Sequence, residues 1–523
     1  MTTTGDSQKA GAGSAKPRRA ASIQAPKGTR DLYPNDLLRR RYLTQIWRDT
    51  AIRHGFEEID GPTFEHAELY SIKSGEGILG ELFQAFSGKS PEEVERVRST
   101  GQAPFAMRPE FTPTLARLYA ARAKQLPQPT KWFSIGPYFR AERPQRGRLR
   151  EFLQWNMDVL GGEAGTPEAL YDAEVVASCV VALHAFGLST DDTRIKFNHR
   201  GYVTERLTSY GLQPADTDAA LQVLDRRGKA SEAELRAALE RLGITPDGIE
   251  YFSKPAGSVR MDLNAEQLKA MGADADLIRQ KLQTPGDQYY EWNRQGLLPW
   301  SEFDTGVVRG LSYYTDIVFE AIAEGERAVA GGGRYNGLVE LLGGPPTPGV
   351  GFAMGDVVLS LLLDDLGLVP EGAELMDAVS RPGASVRPEA FVISADETLG
   401  DPHVSTLVAR LRRGLESDAY LQRGDRKPWH ADRYAAASGG LRPMHARLSY
   451  KSTRNLKKLL ADAERQHARF AVVVHDEHKV QVKDLDRRAE LVDRNHGDFS
   501  VHPAHPAFVG RALAHAIDHA GAG

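Results

Sequence analysis

Cysteine is almost absent from this chain: Cys179 is the only one in 523 residues. That excludes an internal disulfide framework and any metal centre built on thiolates, and it fits a reducing compartment such as the cytosol. Long apolar runs are missing as well. No stretch approaches the roughly 18 consecutive apolar residues of a membrane span, and the first residues lack the apolar core of a secretory signal. A cytoplasmic protein with no membrane partner is therefore expected. Excess charge of one sign is lacking too, with 66 basic against 70 acidic side chains and a formal net charge of -4. Any contact with nucleic acid must then be a local patch and not a globally basic surface. Finally, the glycine run AGGGRYNGL contains neither the Gly-x-x-x-x-Gly-Lys phosphate loop nor the dinucleotide fingerprint, which disfavours those nucleotide folds.

What is present suggests about three domains at roughly 150 residues each. Residues 1–24 are Thr, Gly, Ser and Ala with a few cations, a composition that predicts a disordered tail. Asn35 and Asp36 can cap a helix with apolar positions at Leu38, Tyr42, Ile46 and Trp47, and Gly55 stands where its C-terminal cap belongs. From 25 to 193 the text reads as a strand-rich segment, and from 194 to 298 as a helical, charged insertion (ASEAELRAALERLG). Strands resume over 299–369, a Gly, Ser and Pro-rich linker is expected at 370–388, and 389–523 alternates strand and helix like a small α/β layer domain.

The most informative stretch is FRAERPQRGRLREFLQWNMDVLG, Phe139 to Gly161. Its second half alternates, so Leu153, Trp155, Met157 and Val159 share one face of a strand while Gln154, Asn156 and Asp158 share the other. Upstream, Arg140, Glu142, Arg146, Arg148 and Arg150 flank Pro144 and Gly147, which concentrates guanidinium groups on a turn. Guanidinium forks bind phosphate oxygens with a geometric match that lysine lacks. A solvated basic hairpin is the plainer reading of such a turn, but the polar strand face beside it points to a site. In RPEFT, Glu110 and Thr112 project to one side of an extended chain and can receive an ammonium group; Thr112 also reads as a helix cap before Pro113. VVRGLSYYTDIVFE reads as a strand headed by a lone Arg309, which pairs either with a carboxylate or with a substrate phosphate. Parity on that strand puts Tyr313, but not Tyr314, on the face of Arg309. Gly331, Gly332 and Gly333 allow a sharp turn or a close backbone approach to a ligand before Arg334. Near the C-terminus, RGDRKPWHADRY mixes cations with Trp429 and Tyr434, as single-strand nucleic-acid surfaces do, or is a solvated insertion. Lys457 and Lys458, on a helix capped by Ser452, extend that surface.

In this order the segments resemble the histidyl-tRNA synthetases, a family of class II aminoacyl-tRNA synthetases. GFEEIDGPTFE is similar to motif 1, FRAERPQRGRLREFLQ to motif 2, RGLSYYT and GGGRYNGL to the two histidine-specific segments, and GVGFAMG to the start of motif 3. The resemblance implies an α/β (α+β) fold: a six-stranded antiparallel class II sheet split by the helical insertion, followed by a C-terminal α/β anticodon-binding domain. It implies histidine activation with Mg-ATP to histidyl-adenylate, then transfer to the 3′ end of tRNA(His). The implied partners are ATP, L-histidine and tRNA(His), with homodimerisation through motif 1. Mg²⁺ would accompany ATP, and no resident metal is expected. By residue, Arg140 would bind the α-phosphate, Glu142 the adenine edge and Arg148 the distal phosphates. Glu110, Thr112, Gln154 and Asp158 would hold the amino end of histidine, Tyr313 and Tyr314 would lie near the imidazole, and Arg309 would stabilise charge on the transferring phosphate. One departure stands out: Val358 occupies the position where the family carries the motif 3 arginine. Loss of that arginine motivates an alternative, a catalytically silent paralogue acting as the histidine-sensing regulatory subunit of ATP phosphoribosyltransferase.

Overall fold

The computed structural model describes residues 24–71, 80–226, 230–253, 258–260, 291–292, 294–304, 306–308, 313–323, 325, 327–396, 401–414, 442–476, 478–493, 497–498 and 506–518. The expected tail up to residue 23, Arg309 and the whole of the basic-aromatic RGDRKPWHADRY segment lie outside them. The helix Pro34–Arg53 opens the described chain, with Asp36 accepting a bond from the backbone N–H of Tyr33 at 3.0 Å. Tyr33, rather than Asn35 or Asp36, is therefore the N-cap, and Asp36 serves from inside the first turn. Gly55, at φ +77°, follows the last turn as expected.

The strands in chain order are β1 Glu57–Glu58, β2 Phe64–His66, β3 Gln84–Ala85, β4 Phe105–Met107, β5 Thr130–Phe139, β6 Glu151–Leu160, β7 Thr193–His199, β8 Ser258–Arg260, β9 Ser301–Asp304, β10 Ile317–Ala323, β11 Ala328–Arg334 and β12 Gly349–Gly355. Nine of them form one sheet in the order β1-β5-β6-β12-β11-β10-β7-β9-β8. Its centre, from β5 to β7, is six strands paired antiparallel throughout. β1 joins one edge and β9 the other in parallel. Strands β2, β4 and β3 make a small separate sheet.

Three expectations are corrected here. The boundary at 194 falls inside β7, whose residues Ile195 and Phe197 are buried in the sheet's core, so the helical text starts at Arg200. There Ser231 and Glu234 close a reciprocal cap on the helix Glu232–Arg241, with bonds of 3.3 and 3.0 Å. The stretch from Val307 is not one strand: β10 begins only at Ile317, and Tyr313 and Tyr314 precede it in a turn, so strand parity does not apply to them. Nor do Gly331 to Gly333 form a turn, since they lie within β11.

One face of the sheet packs on the helices Pro34–Arg53 and Glu168–Ala185, with Trp47, Trp155, Met157 and Val180 fully buried between them. The segment expected to be a linker contains the helix Gly372–Ser380, which buries Leu375 against this core. Beyond it, β13 Ala390–Ser394, β14 Ala446–Leu448, β15 Phe470–Val474, β16 Val480–Asp484 and β17 Ala489–Glu490 form a five-stranded sheet in the order β14-β13-β15-β16-β17. The helix Leu456–Arg465 on this sheet is capped by Asn455, whose side chain accepts from Lys458 N–H at 3.2 Å, and not by Ser452. A buried charge cluster joins this layer to the first. Glu174 takes Lys131 Nζ at 2.6 Å, Arg412 Nη1 at 2.7 Å and the hydroxyl of Tyr450. Burial alone would raise the Glu174 carboxyl, but Arg412 and Lys131 hold it down to about 2.

Candidate active site

The open face of the sheet has a floor almost free of side chains. Across the central strands Asp158 opposes Gly351, Asn156 opposes Ala353 and Gln154 opposes Gly355, while Gly333 and Gly331 continue the same rows on β11. Directly paired residues share a face. The polar row of β6 therefore lies beside glycines and an alanine, and its Gln154 end lines a cleft. The fit is tight: a Cβ on Gly351 would fall 1.9 Å from Asp158 Oδ1.

At one end of this floor lies a pocket of carboxylates and phenols. Tyr313 donates to Glu110 Oε2 at 2.8 Å, and Tyr335 donates to Asp158 Oδ1 at 2.6 Å. The rings of Tyr313 and Tyr335 cross edge-on at 6.0 Å, and Tyr314 lies 4.9 Å from Tyr313. Thr112, first residue of the helix Thr112–Arg122, also interacts with the Tyr313 hydroxyl. The N-cap of that helix is Phe111, one residue earlier than expected. Asn156 donates to the Tyr138 hydroxyl at 3.1 Å. Glu110 and Asp158 are buried, at 6% and 3% exposure. Desolvation, with a smaller contribution from the Glu110 charge, pushes the Asp158 carboxyl up to about 7 against the opposing bond from Tyr335. Two buried carboxylates, one of them raised by the charge of the other, form a receptor for a cation of ammonium size.

The other end is a cleft of about 510 Å³, lined among others by Arg140, Glu142, Arg148, Gln154, Arg327 and Val358. The arginine turn is held by reciprocal backbone bonds between Gln145 and Arg148, 3.1 and 2.9 Å, with Gly147 at φ +74°. Arg148 Nη1 sits 2.6 Å from Glu142, whose other oxygen is 4.0 Å from Arg140 Nη1. Arg140 is aimed by its Nε bond to Pro109 O at 3.1 Å and by the Phe152 ring, 5.3 Å away. Arg146 and Arg150 are used elsewhere, on Asp365 and on the backbone of Glu142. Gln154, only 8% exposed, keeps its Oε1 without a hydrogen-bond partner among the described residues, which marks a missing donor.

The structure thus brings Arg140, Glu142, Arg148 and Gln154 to the cleft, and Glu110, Thr112, Asp158, Tyr313 and Tyr314 to the pocket. Arg309 is outside the described residues; nearby, Val307 and Val308 line the cleft. Tyr335 and Arg327 were not anticipated. The signal for Tyr335 was available, because it continues the period-two row of Gly331 and Gly333. Arg334, which alternates with that row, points away and is a buried structural residue, 2.5 Å from Asp172.

Residues 28–356 match the family model for histidyl-tRNA synthetase. The chain belongs to the histidyl-tRNA synthetase family. The histidine–tRNA ligase of Opitutus terrae is 39% identical over 383 residues, covering 71% of this chain and 82% of that one. The histidine–tRNA ligase of Halorubrum lacusprofundi is 36% identical over 386 residues, covering 72% and 82%. A solved structure from Bacillus halodurans, described as an ATP phosphoribosyltransferase regulatory subunit/histidyl-tRNA synthetase, superposes with a TM-score of 0.50 at 19% identity over 87% of this chain and 98% of that one. That likeness supports the class II fold alone. Family membership makes the chain an aminoacyl-tRNA synthetase, a ligase joining histidine to tRNA. Asp356, at the start of the helix Asp356–Asp365, accepts from Leu153 N–H at 2.9 Å and pairs with Arg30 at 2.6 Å. That helix is thereby fastened to β6, and Val358 on its first turn lines the cleft.

Proposed function

We propose that the pocket holds histidine by its ammonium group and the cleft holds ATP, so that the two reactants meet over the glycine floor of β11 and β12. Glu110 and Asp158 neutralise the ammonium, Thr112 and Gln154 orient the amino end, and Tyr313 and Tyr314 flank the imidazole. Arg140 takes the α-phosphate, Glu142 the adenine edge and Arg148 the distal phosphates. Arg309, outside the described residues, would stabilise charge on the transferring phosphate. A carboxylate oxygen of histidine attacks the α-phosphorus, the bond to the β-phosphate oxygen breaks, and pyrophosphate leaves. The 3′-terminal ribose of tRNA(His) then takes the histidyl group and AMP departs. No protein base is needed for the first step, because fixed positive charge and alignment do most of the catalysis in such transfers. Mg²⁺ enters as part of the Mg-ATP substrate, and Glu142 and Glu320 on the cleft wall are hard oxygen donors of the kind it accepts. Homodimerisation through motif 1, anticodon contact by residues 389–523 and a cytoplasmic location complete the proposal.

The observation that supports this reading most is the meeting, on one strand face, of a buried carboxylate pocket at Asp158 and an arginine-lined cleft at Gln154. Purified protein should exchange radiolabelled pyrophosphate into ATP in a histidine-dependent manner. Histidine binding without exchange would instead describe a histidine-sensing regulatory subunit, and exchange with other amino acids at equal rates would remove the specificity claim.

A further inference from the structure

The cleft holds more guanidinium than its carboxylates take up. Arg148 and Arg140 share Glu142, at 2.6 and 4.0 Å. Arg327, the residue before β11, lines the same cleft. Among the described residues it makes no hydrogen bond and no ion pair, with Glu142, Glu320 or Asp225 or with any other. Burial and the facing charge of Arg148 both lower its pKa, and Glu142 only partly offsets them. A half-buried guanidinium sharing a cleft with another is unfavourable unless an anion sits between them. The position of Arg327 is also specific. A Cβ placed on Gly147 would lie 3.3 Å from Val358 Cγ2 and 3.4 Å from Arg327 Cδ, so the two side chains flank one point at the tip of the arginine turn. Val358 is where the family's motif 3 arginine belongs.

We infer that Arg327 supplies, from the head of β11, the guanidinium that motif 3 lacks in this chain, and that it grips the distal phosphate of ATP opposite Arg148. This rests on the functional reading above and deepens it. The replacement is geometrically economical, since a guanidinium from either Arg327 or position 358 enters the cleft beside Gly147. Val358, being apolar, leaves that space to the Arg327 stem.

The test is direct nucleotide binding, which does not depend on exchange activity. Calorimetry of Arg327→Ala with ATP should show affinity reduced about 10- to 100-fold, the scale of one lost charge-assisted hydrogen-bonding group. Affinities for AMP and for histidine should stay within about threefold of wild type. Arg327→Lys should recover part of the loss. In the Arg327→Ala background, Val358→Arg should restore ATP affinity, a rescue that a merely structural Arg327 would not permit. Equal weakening of ATP and AMP, or unchanged ATP affinity with the variant folded, overturns the inference. If the wild-type protein binds ATP more tightly than AMP but fails to exchange pyrophosphate, the enzymatic reading fails while the role of Arg327 stands.

Discussion

Replacing Glu174 by Gln deletes the carboxylate that holds Lys131, Arg412 and the Tyr450 hydroxyl together between the two large sheets. The pair geometry is close, 2.6 Å to Lys131 and 2.7 Å to Arg412, and the Glu174 and Arg412 side chains are 2% and 3% exposed. Depression of the Glu174 carboxyl from 4.5 to about 2 corresponds to about 3 kcal/mol at roughly 1.4 kcal/mol per unit. Breaking one side of a buried pair costs about 3–5 kcal/mol in general, because the remaining charges stay buried without a counter-ion. The two figures agree, and against a typical domain stability of about 5–15 kcal/mol the loss is large. Because Lys131 and Glu174 belong to the first layer and Arg412 and Tyr450 to the second, the variant should separate the layers before either unfolds. Urea denaturation should therefore show two transitions in Glu174→Gln, the first at least about 3 kcal/mol less stable than in wild type. The sign with pH follows from a depressed carboxyl: the Glu174 contribution is full above about pH 4.5 and fades as pH falls toward about 2. The gap between wild type and variant should close in that acid window. As a control, the exposed pair Arg48–Glu58, with side chains 41% and 44% exposed, predicts a loss under about 1 kcal/mol for Glu58→Gln. A Glu174→Gln protein no less stable than this control, unfolding in one transition, would refute the reasoning.

Other consequences concern the pocket. With the Asp158 carboxyl raised to about 7, histidine binding to wild type should weaken below pH 7, about tenfold per unit, as the carboxylate protonates. Asp158→Asn should bind histidine about 10- to 100-fold more weakly at pH 8, and the ratio of the two affinities should approach one near pH 5. A ratio independent of pH would mean Asp158 does not meet the ammonium. Gly351→Ala must displace Asp158, whose Oδ1 lies 1.9 Å from the added Cβ, and the Met157 carbonyl, at 2.7 Å. Steady-state exchange kinetics should show the KM for histidine raised more than about tenfold with that for ATP nearly unchanged, the size expected from loss of one charged contact. Equal effects on both would place the damage in the sheet as a whole.

Much of the site could be read along single strands. Alternation over Leu153 to Val159 separated core from site before any fold was known, because side chains in a strand take opposite faces by geometry alone. The Arg140–Arg148 turn could be read from Pro144, Gly147 and the density of arginine. What failed was reading that depended on partners. The run from Val307 reads as a strand, yet among its described residues only those from Ile317 find neighbours, β7 and β11, to pair with. The 370–388 segment looked like a linker by composition, but Leu375 finds a hydrophobic core to enter. Residue 194 looked like the start of a helical insertion, yet β7 runs to His199 because the sheet supplies a place for Ile195 and Phe197.

Local sequence by itself determined which residues alternate, which turns are tight and which glycines leave room, since these follow from backbone stereochemistry within a few residues. Only the tertiary structure decided that Tyr335 bonds to Asp158, that Tyr313 bonds to Glu110 more than 200 positions away, and that Arg327 lines the same cleft as Arg148. Those pairings depend on the order in which strands lie side by side, and that order is set by the packing of the whole sheet against its helices, not by any segment alone.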